Sequence, residues 1–177
     1  MTTFAQRVLG AALLDRRTYE EVEADGRATG QAVGVVLLAS VGGGIGLLGL
    51  GVPTPQSLVA GIAGALIGWI AWAALTYLIG TRLLPEPQTR ADVGELLRTI
   101  AFASAPGVLR VFGLVPVLGL TIYAIASIWM LLAMVVAVRQ ALDYKSTGRA
   151  VGVCVVGWAL SLAVAAIIGI LFPASVF

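Results

Sequence analysis

Residues 31–50, QAVGVVLLASVGGGIGLLGL, and residues 57–79, SLVAGIAGALIGWIAWAALTYLI, decide the fold of this chain. Neither stretch contains a charged residue, and each is as long as the roughly 20 apolar residues that a helix needs to cross a bilayer. The six residues between them include two prolines and no charge, which indicates a tight turn. The two stretches therefore predict a pair of transmembrane helices.

The rest of the chain is equally poor in charge. Of its 177 residues, 59% are hydrophobic and only 11% are charged, whereas soluble domains have about 25% charged residues. Residues 117–138 and 150–172 form two further uncharged, apolar stretches of spanning length. The sequence therefore predicts an all-α fold, a polytopic membrane helix bundle.

A third segment, residues 99–115, is harder to interpret. Eleven residues separate Arg98 from Arg110, about 16 Å of α-helix and only half of a hydrocarbon core. Ser104 and Pro106 also weaken a helix interior. Either Arg110 lies near the outer interface on a full but broken span, or the segment is re-entrant and both arginines are cytoplasmic.

Charge distribution favours the full span, because Lys and Arg are retained on the cytoplasmic side of a membrane. With five spans and a cytoplasmic N-terminus, ten of the eleven basic residues lie inside and only Arg110 lies outside. The re-entrant alternative would move three basic residues of the loop before residue 150 to the outside. We therefore predict five spans (31–50, 57–79, 99–115, 117–138 and 150–172) and an outside C-terminus.

Residues 1–30 are predicted to form a cytoplasmic headpiece. Thr18 and Glu21 have the spacing of a capping box, which predicts a short helix over residues 19–24. An apolar stripe upstream indicates either a helix on the membrane surface or one packed on the spans, and its members are Phe4, Val8, Leu9, Ala12 and Leu13. The second helix is a candidate docking surface for a cytoplasmic partner, with Arg16, Arg17, Tyr19, Glu20 and Glu23 as its residues.

Small residues recur at four-residue spacing along three of the spans. In lipid, such residues let helix backbones approach closely, either within one chain or between two copies of it. The candidate helix-packing residues are Gly30, Gly34, Gly42, Gly46, Gly64, Gly68, Ser161, Ala165 and Gly169.

The sequence contains few of the residue types that catalyse reactions. It has no histidine, which excludes Ser–His and Cys–His catalysis and the usual transition-metal ligand. Cys154 is the only cysteine, and every acidic residue lies in the headpiece or in a predicted cytoplasmic loop. We predict no catalytic residue, cofactor or metal. A net charge of +2 gives no reason to expect a nucleic-acid partner.

Arg110 is the one charged residue near membrane depth, and such residues are functional candidates. One interpretation is a side chain that extends to the outer headgroups. The other is a polar or lipid-binding site in which Arg110 and a helix break at Ser104 and Pro106 face a cavity that suits an anion.

Several short runs resemble one family. LRTIAFASAP at residues 97–106, VPVLG at 115–119 and Ile128-Trp129 are similar to the core of the Ypt-interacting protein (Yip) domain family. TGRAV at 147–151 and DGRATGQA at 25–32 resemble the sequences that precede the last and first spans of prokaryotic members. The likeness covers most of residues 15–172 and departs at Ala101-Phe102, where the family often has Gly-Tyr.

The resemblance implies five spans with a cytoplasmic N-terminus, in a prokaryotic plasma membrane. Eukaryotic relatives contact Rab GTPases through a longer N-terminal region, which here is reduced to about thirty residues. We expect a non-enzymatic protein in the lipid bilayer that organises the membrane or recruits a cytoplasmic protein partner, with a homo-oligomer as a further possibility. The alternative is a small transporter, channel or lipid-handling protein that uses the site around Arg110.

Overall fold

A computed structural model of the chain describes residues 2–49, 55–115 and 117–171, and it describes the side chains of residues 2–48, 58–115 and 117–163. Every regular element in these ranges is helical, which confirms the predicted all-α class. The α-helices are α1 (Phe4–Ala12), α2 (Arg16–Ala24), α3 (Thr29–Gly49), α4 (Pro55–Leu78), α5 (Val93–Ala103), α6 (Gly119–Ala141) and α7 (Thr147–Leu171). A π-helical turn, Ile79–Leu83, extends α4, and a 3₁₀ helix, Ala105–Leu114, follows α5 and is called here the 3₁₀ segment.

Four helical stretches of the described residues are long and apolar enough to cross a membrane. They are Gly26–Leu48, Leu58–Leu83, Val93–Leu114 and Gly119–Ala141. These stretches match the first four predicted spans, with boundaries that differ by a few residues. The fifth predicted span, residues 150–172, falls on α7, where the described side chains give the shorter apolar stretch Thr147–Ala163.

The third span begins earlier than predicted. Helix α5 starts at Val93 because the Asp92 carboxylate accepts the Glu95 N–H at 2.9 Å, while the Glu95 carboxylate accepts the Asp92 N–H at 2.8 Å. This capping box includes in the helix six residues that the sequence had assigned to an aqueous loop. Eleven α-helical residues and ten 3₁₀ residues together extend roughly 36 Å, enough for a core of about 30 Å.

The headpiece contains the two predicted helices, but the second begins earlier than predicted. The predicted start at Thr18 is wrong, because Asp15 caps α2 and accepts the Arg17 N–H at 3.2 Å. The Thr18 hydroxyl donates to the other Asp15 carboxylate oxygen at 3.0 Å and therefore does not cap the helix.

A buried arginine holds the headpiece together. Arg7, which is only 4% exposed, donates to Glu21 and Asp25, each at 2.8 Å, and so ties α1 to the end of α2. Its other Nη donates to Gln31 at 3.1 Å, which connects both helices to α3. Breaking such a network costs on the order of 2 kcal/mol or more, since a buried guanidinium or its carboxylates would lose partners.

The apolar stripe of α1 is divided between two environments. Phe4, Val8 and Ala12 pack against the core formed by the headpiece and the spans. Leu9 and Leu13 remain 63% and 72% exposed. Both interpretations of the stripe therefore describe part of it, since one side packs on the bundle and the other is left for the membrane interface.

The 3₁₀ segment lies at the centre of the bundle, mainly between α3 and α6. Its approach to α3 is close because both surfaces lack side chains. A Cβ on Gly42 would lie 2.9 Å from the Val108 carbonyl oxygen, and one on Gly113 would lie 2.9 Å from the Gly46 Cα. These close approaches fix the backbone around Arg110.

Candidate ligand-binding cavity

The break between α5 and the 3₁₀ segment positions Arg110. The Ser104 N–H donates to the Ala101 carbonyl at 3.0 Å, and the Ser104 hydroxyl donates to the same oxygen at 2.6 Å. Pro106 follows in the first 3₁₀ turn, where its missing N–H has no cost. The chain therefore continues in the narrower helix, which turns the Arg110 side chain toward α6.

The Arg110 guanidinium has only neutral partners. One Nη donates to the Ser127 hydroxyl at 2.8 Å, and the guanidinium carbon lies 4.8 Å from the centre of the Tyr123 ring. The Nε is buried and has no hydrogen-bond partner. No ion pair within the described ranges includes Arg110. Its positive charge is therefore left without a compensating anion.

Arg110 lines a cavity of about 660 Å³ whose walls come from α3, α4, α6 and the third span. This volume lies within the range of roughly 300–1,000 Å³ that is typical of small-molecule sites. Most of the lining is apolar or glycine, and its large side chains include Trp69, Trp72 and Met130. Ser40 and Ser104 also line it, but their hydroxyls already donate to backbone carbonyls.

The α4 wall of the cavity is nearly bare. Gly61, Ala65, Gly68 and Trp72 line it at intervals of three or four residues, so they share one face of the helix. A Cβ added at Gly61 or Gly68 would meet nothing within 4 Å. The cavity exists here because side chains are absent. Trp72 also has a buried Nε1 without a partner, so two residues of the lining carry unused donors.

The structure brings together only part of the predicted polar site. Ser104 and Arg110 line the same cavity, whereas Pro106 is fully buried and is not among the lining residues. Tyr123 and Ser127 were not identified from the sequence, although they are polar residues one turn apart in an apolar span. This four-residue spacing was the sequence signal that could have identified Tyr123 and Ser127 as members of the site.

The candidate packing residues have different environments. A Cβ on Gly46 would collide with the Arg110 carbonyl oxygen, and Gly42 faces Val108, so these two glycines lie at a helix contact. Gly34 has only Phe4 nearby, at 3.8 Å, and Gly30 has no neighbour within 4 Å.

The candidate packing residues of α4 and α7 do not lie at contacts between helices in the described part of the chain. Gly64 and Gly68 have open space around them, so the prediction that they pack helices is not supported within this chain, and Gly68 lines the cavity instead. Ser161 is exposed. The side chains of Ala165 and Gly169 lie outside the described residues.

The candidate docking residues do not form one surface. Tyr19 is fully buried and donates its hydroxyl to the Ala11 carbonyl at 3.0 Å, so its predicted contact with a partner is wrong. Glu20 accepts from Gln140 at 3.0 Å, and Glu23 is half-buried beside Glu95. The other two members, Arg16 and Arg17, are exposed.

Burial, reinforced by the neighbouring carboxylates of Glu95, Asp143 and Glu20, raises the pKa of Glu23 to about 7. Within the described ranges, no cluster of three or more potential ligands could hold a metal ion.

Comparisons with known proteins place the chain in a family. The model of the Yip1 domain family matches residues 13–174, which is nearly the whole chain. No curated protein and no solved structure matches it. The family match confirms the resemblance seen in the short runs around residues 97–106 and 147–151. The chain belongs to the Yip1 domain family.

Proposed function

We propose that this membrane protein of the Yip family binds an anionic, amphiphilic ligand in the cavity at Arg110 and has a lipid-handling role. It acts without catalysis, as a five-span protein with a cytoplasmic N-terminus and an outside C-terminus in a prokaryotic plasma membrane. The observation that carries the proposal is the Arg110 guanidinium, which lines an apolar cavity without an anionic partner.

The topology is supported by the length of the third span and by the positions of the basic residues. A segment of roughly 36 Å has no need to re-enter on the side where it began. Arg110 lies four residues before the end of the 3₁₀ segment at Leu114, about 8 Å from it. In this topology the guanidinium lies in the outer half of the bilayer.

Electrostatics supports an anionic ligand. An isolated charge within the hydrocarbon region is costly, and such residues normally pair with an opposite charge or face water. Ser127 and Tyr123 solvate the Arg110 guanidinium but do not neutralise it. A phosphate or carboxylate at this place would neutralise the charge and could accept from the free Nε.

The apolar lining favours an amphiphile over a small inorganic ion, and it favours lipid handling over a channel. Recruitment of a cytoplasmic partner is a second proposal. Its support is the exposure of Arg16 and Arg17 at the beginning of α2, on a headpiece that is firmly attached to the bundle.

Neutralising Arg110 tests the primary proposal. We expect Arg110→Gln, in nanodiscs of zwitterionic lipid, to weaken binding of an added acidic amphiphile such as a fatty acid by roughly tenfold or more, because a charge-assisted hydrogen bond is lost. Arg110→Lys should retain part of the affinity. Arg82→Gln removes the same charge from an exposed position and is the matched control. Equal affinities in Arg110→Gln and the wild type would contradict the proposal.

A further inference from the structure

Two contacts join α4 to neighbouring helices beside the cavity. Near the start of α4, the Leu58 side chain covers Gly44 of α3, where a Cβ would collide with it. Further along α4, the Trp69 Nε1 donates to the Leu97 carbonyl of α5 at 2.9 Å. Gly44, Leu58 and Trp69 all line the cavity. Along α4, the two contacts therefore lie on either side of the stretch from Gly61 to Gly68.

The side wall is different. Gly61 and Gly68 line the cavity and are also exposed, which means that the cavity communicates with the surface of α4. Only 6% of an apolar 18-residue stretch within the span that contains α4 is buried, so this surface lies at membrane depth and faces lipid. A ligand that enters here comes from the bilayer.

Arg110 and the bare face of α4 are arranged as the headgroup and the acyl chain of a lipid require. Gly61 lies six residues from the beginning of α4 at Pro55, about 9 Å into the helix, which is close to the depth of Arg110. Gly68 lies seven residues further, another 10 Å or so toward the centre of the bilayer. An anionic group at Arg110 thus leaves a groove of about 10 Å for the first part of a chain.

From this arrangement we propose that the ligand is an acidic acyl lipid of the outer half of the bilayer, taken up laterally through the bare face of α4. Its anionic group binds the Arg110 guanidinium, and its acyl chain lies along Gly61, Ala65 and Gly68. The inference rests on the proposed function and names the class and entry route of that ligand. A water-soluble anion with the same phosphate chemistry is the competing source.

Filling the groove tests this inference. Gly68→Leu introduces a side chain into open space within the cavity, and Gly64→Leu introduces the same side chain into open space outside the cavity lining. Each protein is placed in phosphatidylcholine nanodiscs that contain a minor fraction of phosphatidylglycerol with brominated acyl chains. Bromine quenches tryptophan on contact, and Trp69 and Trp72 line the cavity.

We expect Gly68→Leu to reduce the apparent affinity for the brominated lipid by roughly tenfold, since the new side chain fills the space that the acyl chain of the lipid would occupy. Gly64→Leu should bind like the wild type, and glycerol phosphate in the buffer should not compete. Size-exclusion profiles establish that both variants are folded.

The possible results separate the two proposals. If glycerol phosphate competes, or if Gly68→Leu binds lipid as well as Gly64→Leu while Arg110→Gln does not, the lateral lipid site is wrong and the anion site at Arg110 stands. If quenching is the same in the wild type, Gly68→Leu and Arg110→Gln, both the lipid site and the proposed function are wrong.

Discussion

The third span and α4 are opposites in sequence and in position. The third span contains Arg110, a proline and a change of helix type, yet 56% of an apolar 18-residue stretch within it is buried. Helix α4 is a long, regular helix without a charged residue, and only 6% of an apolar 18-residue stretch within its span is buried. In a soluble protein of this size the more apolar helix would be expected at the centre.

The difference follows from the solvent. Lipid satisfies apolar side chains as well as the protein interior does, so no hydrophobic force draws α4 inward. A broken backbone and a charged side chain cannot be satisfied by lipid and are placed inside the protein. The same reasoning explains why the cavity lies between these two regions, since one supplies its charge and the other supplies its thin wall.

The largest effect is expected where the third span meets α3. In Gly46→Leu the new side chain would collide with the Arg110 carbonyl oxygen, and backbone on both sides prevents relaxation. We expect destabilisation of about 3 kcal/mol or more, measured as loss of the folded fraction in mixed-micelle denaturation. Gly64→Leu on α4 should be nearly neutral, because the added side chain meets only lipid. If Gly46→Leu were as stable as the wild type, the third span would not be tightly packed against α3.

The sequence predicted the features of the fold that depend on composition and charge. Uncharged stretches predicted the helical membrane class, and Ser104 with Pro106 predicted the break in the third span. It did not reveal that the chain after the break would be 3₁₀, because that helix is stabilised by contacts of Gly107 and Gly113 with distant residues. A 3₁₀ helix rises about 2.0 Å per residue instead of about 1.5 Å, and this greater rise makes the third span long enough to cross the bilayer.

The site was predicted less completely than the fold. Arg110 was identified because a charge at membrane depth is unusual in any sequence. Tyr19 was misassigned to a surface because its burial depends on the Ala11 carbonyl, which only the folded headpiece brings within 3.0 Å of its hydroxyl. Gly68 was assigned to helix packing because a small residue that allows contact and one that leaves a cavity have the same sequence pattern.

A smaller effect is expected where α4 is attached to the third span. Trp69→Phe removes the hydrogen bond to the Leu97 carbonyl and should cost about 1 kcal/mol. Because Trp69 lines the cavity, loss of this bond should also let the variant exchange brominated lipid faster. Trp129→Phe is the matched control, since it loses an equivalent bond to the Ala12 carbonyl in the headpiece. Equal lipid exchange in the two variants would show that the hydrogen bond of Trp69 does not limit lipid exchange.

The smallest effect concerns the headpiece, which packs against the third span through α5. The pKa of Glu23 is raised from its ordinary value of 4.5 to about 7, mainly by burial and then by Glu95, Asp143 and Glu20, with Arg98 opposing. The docked headpiece therefore binds a proton more tightly than the detached one does. The contribution of Glu23 to docking should be largest below pH 4.5 and should be lost as the pH rises through 7.

Glu23→Gln should remove this dependence and stabilise docking at pH 8, while it changes little at pH 5. The measurement is the temperature at which the headpiece detaches, followed by Trp129 fluorescence, since the indole of Trp129 donates to Ala12 at 2.7 Å. Glu21→Gln on the same helix should do the reverse. Hydrogen bonds from Thr2 and Arg7 lower the pKa of Glu21, so its charged form stabilises the headpiece at pH 8. If both variants changed stability in the same direction at pH 8, Glu23 would not be the group that opposes docking.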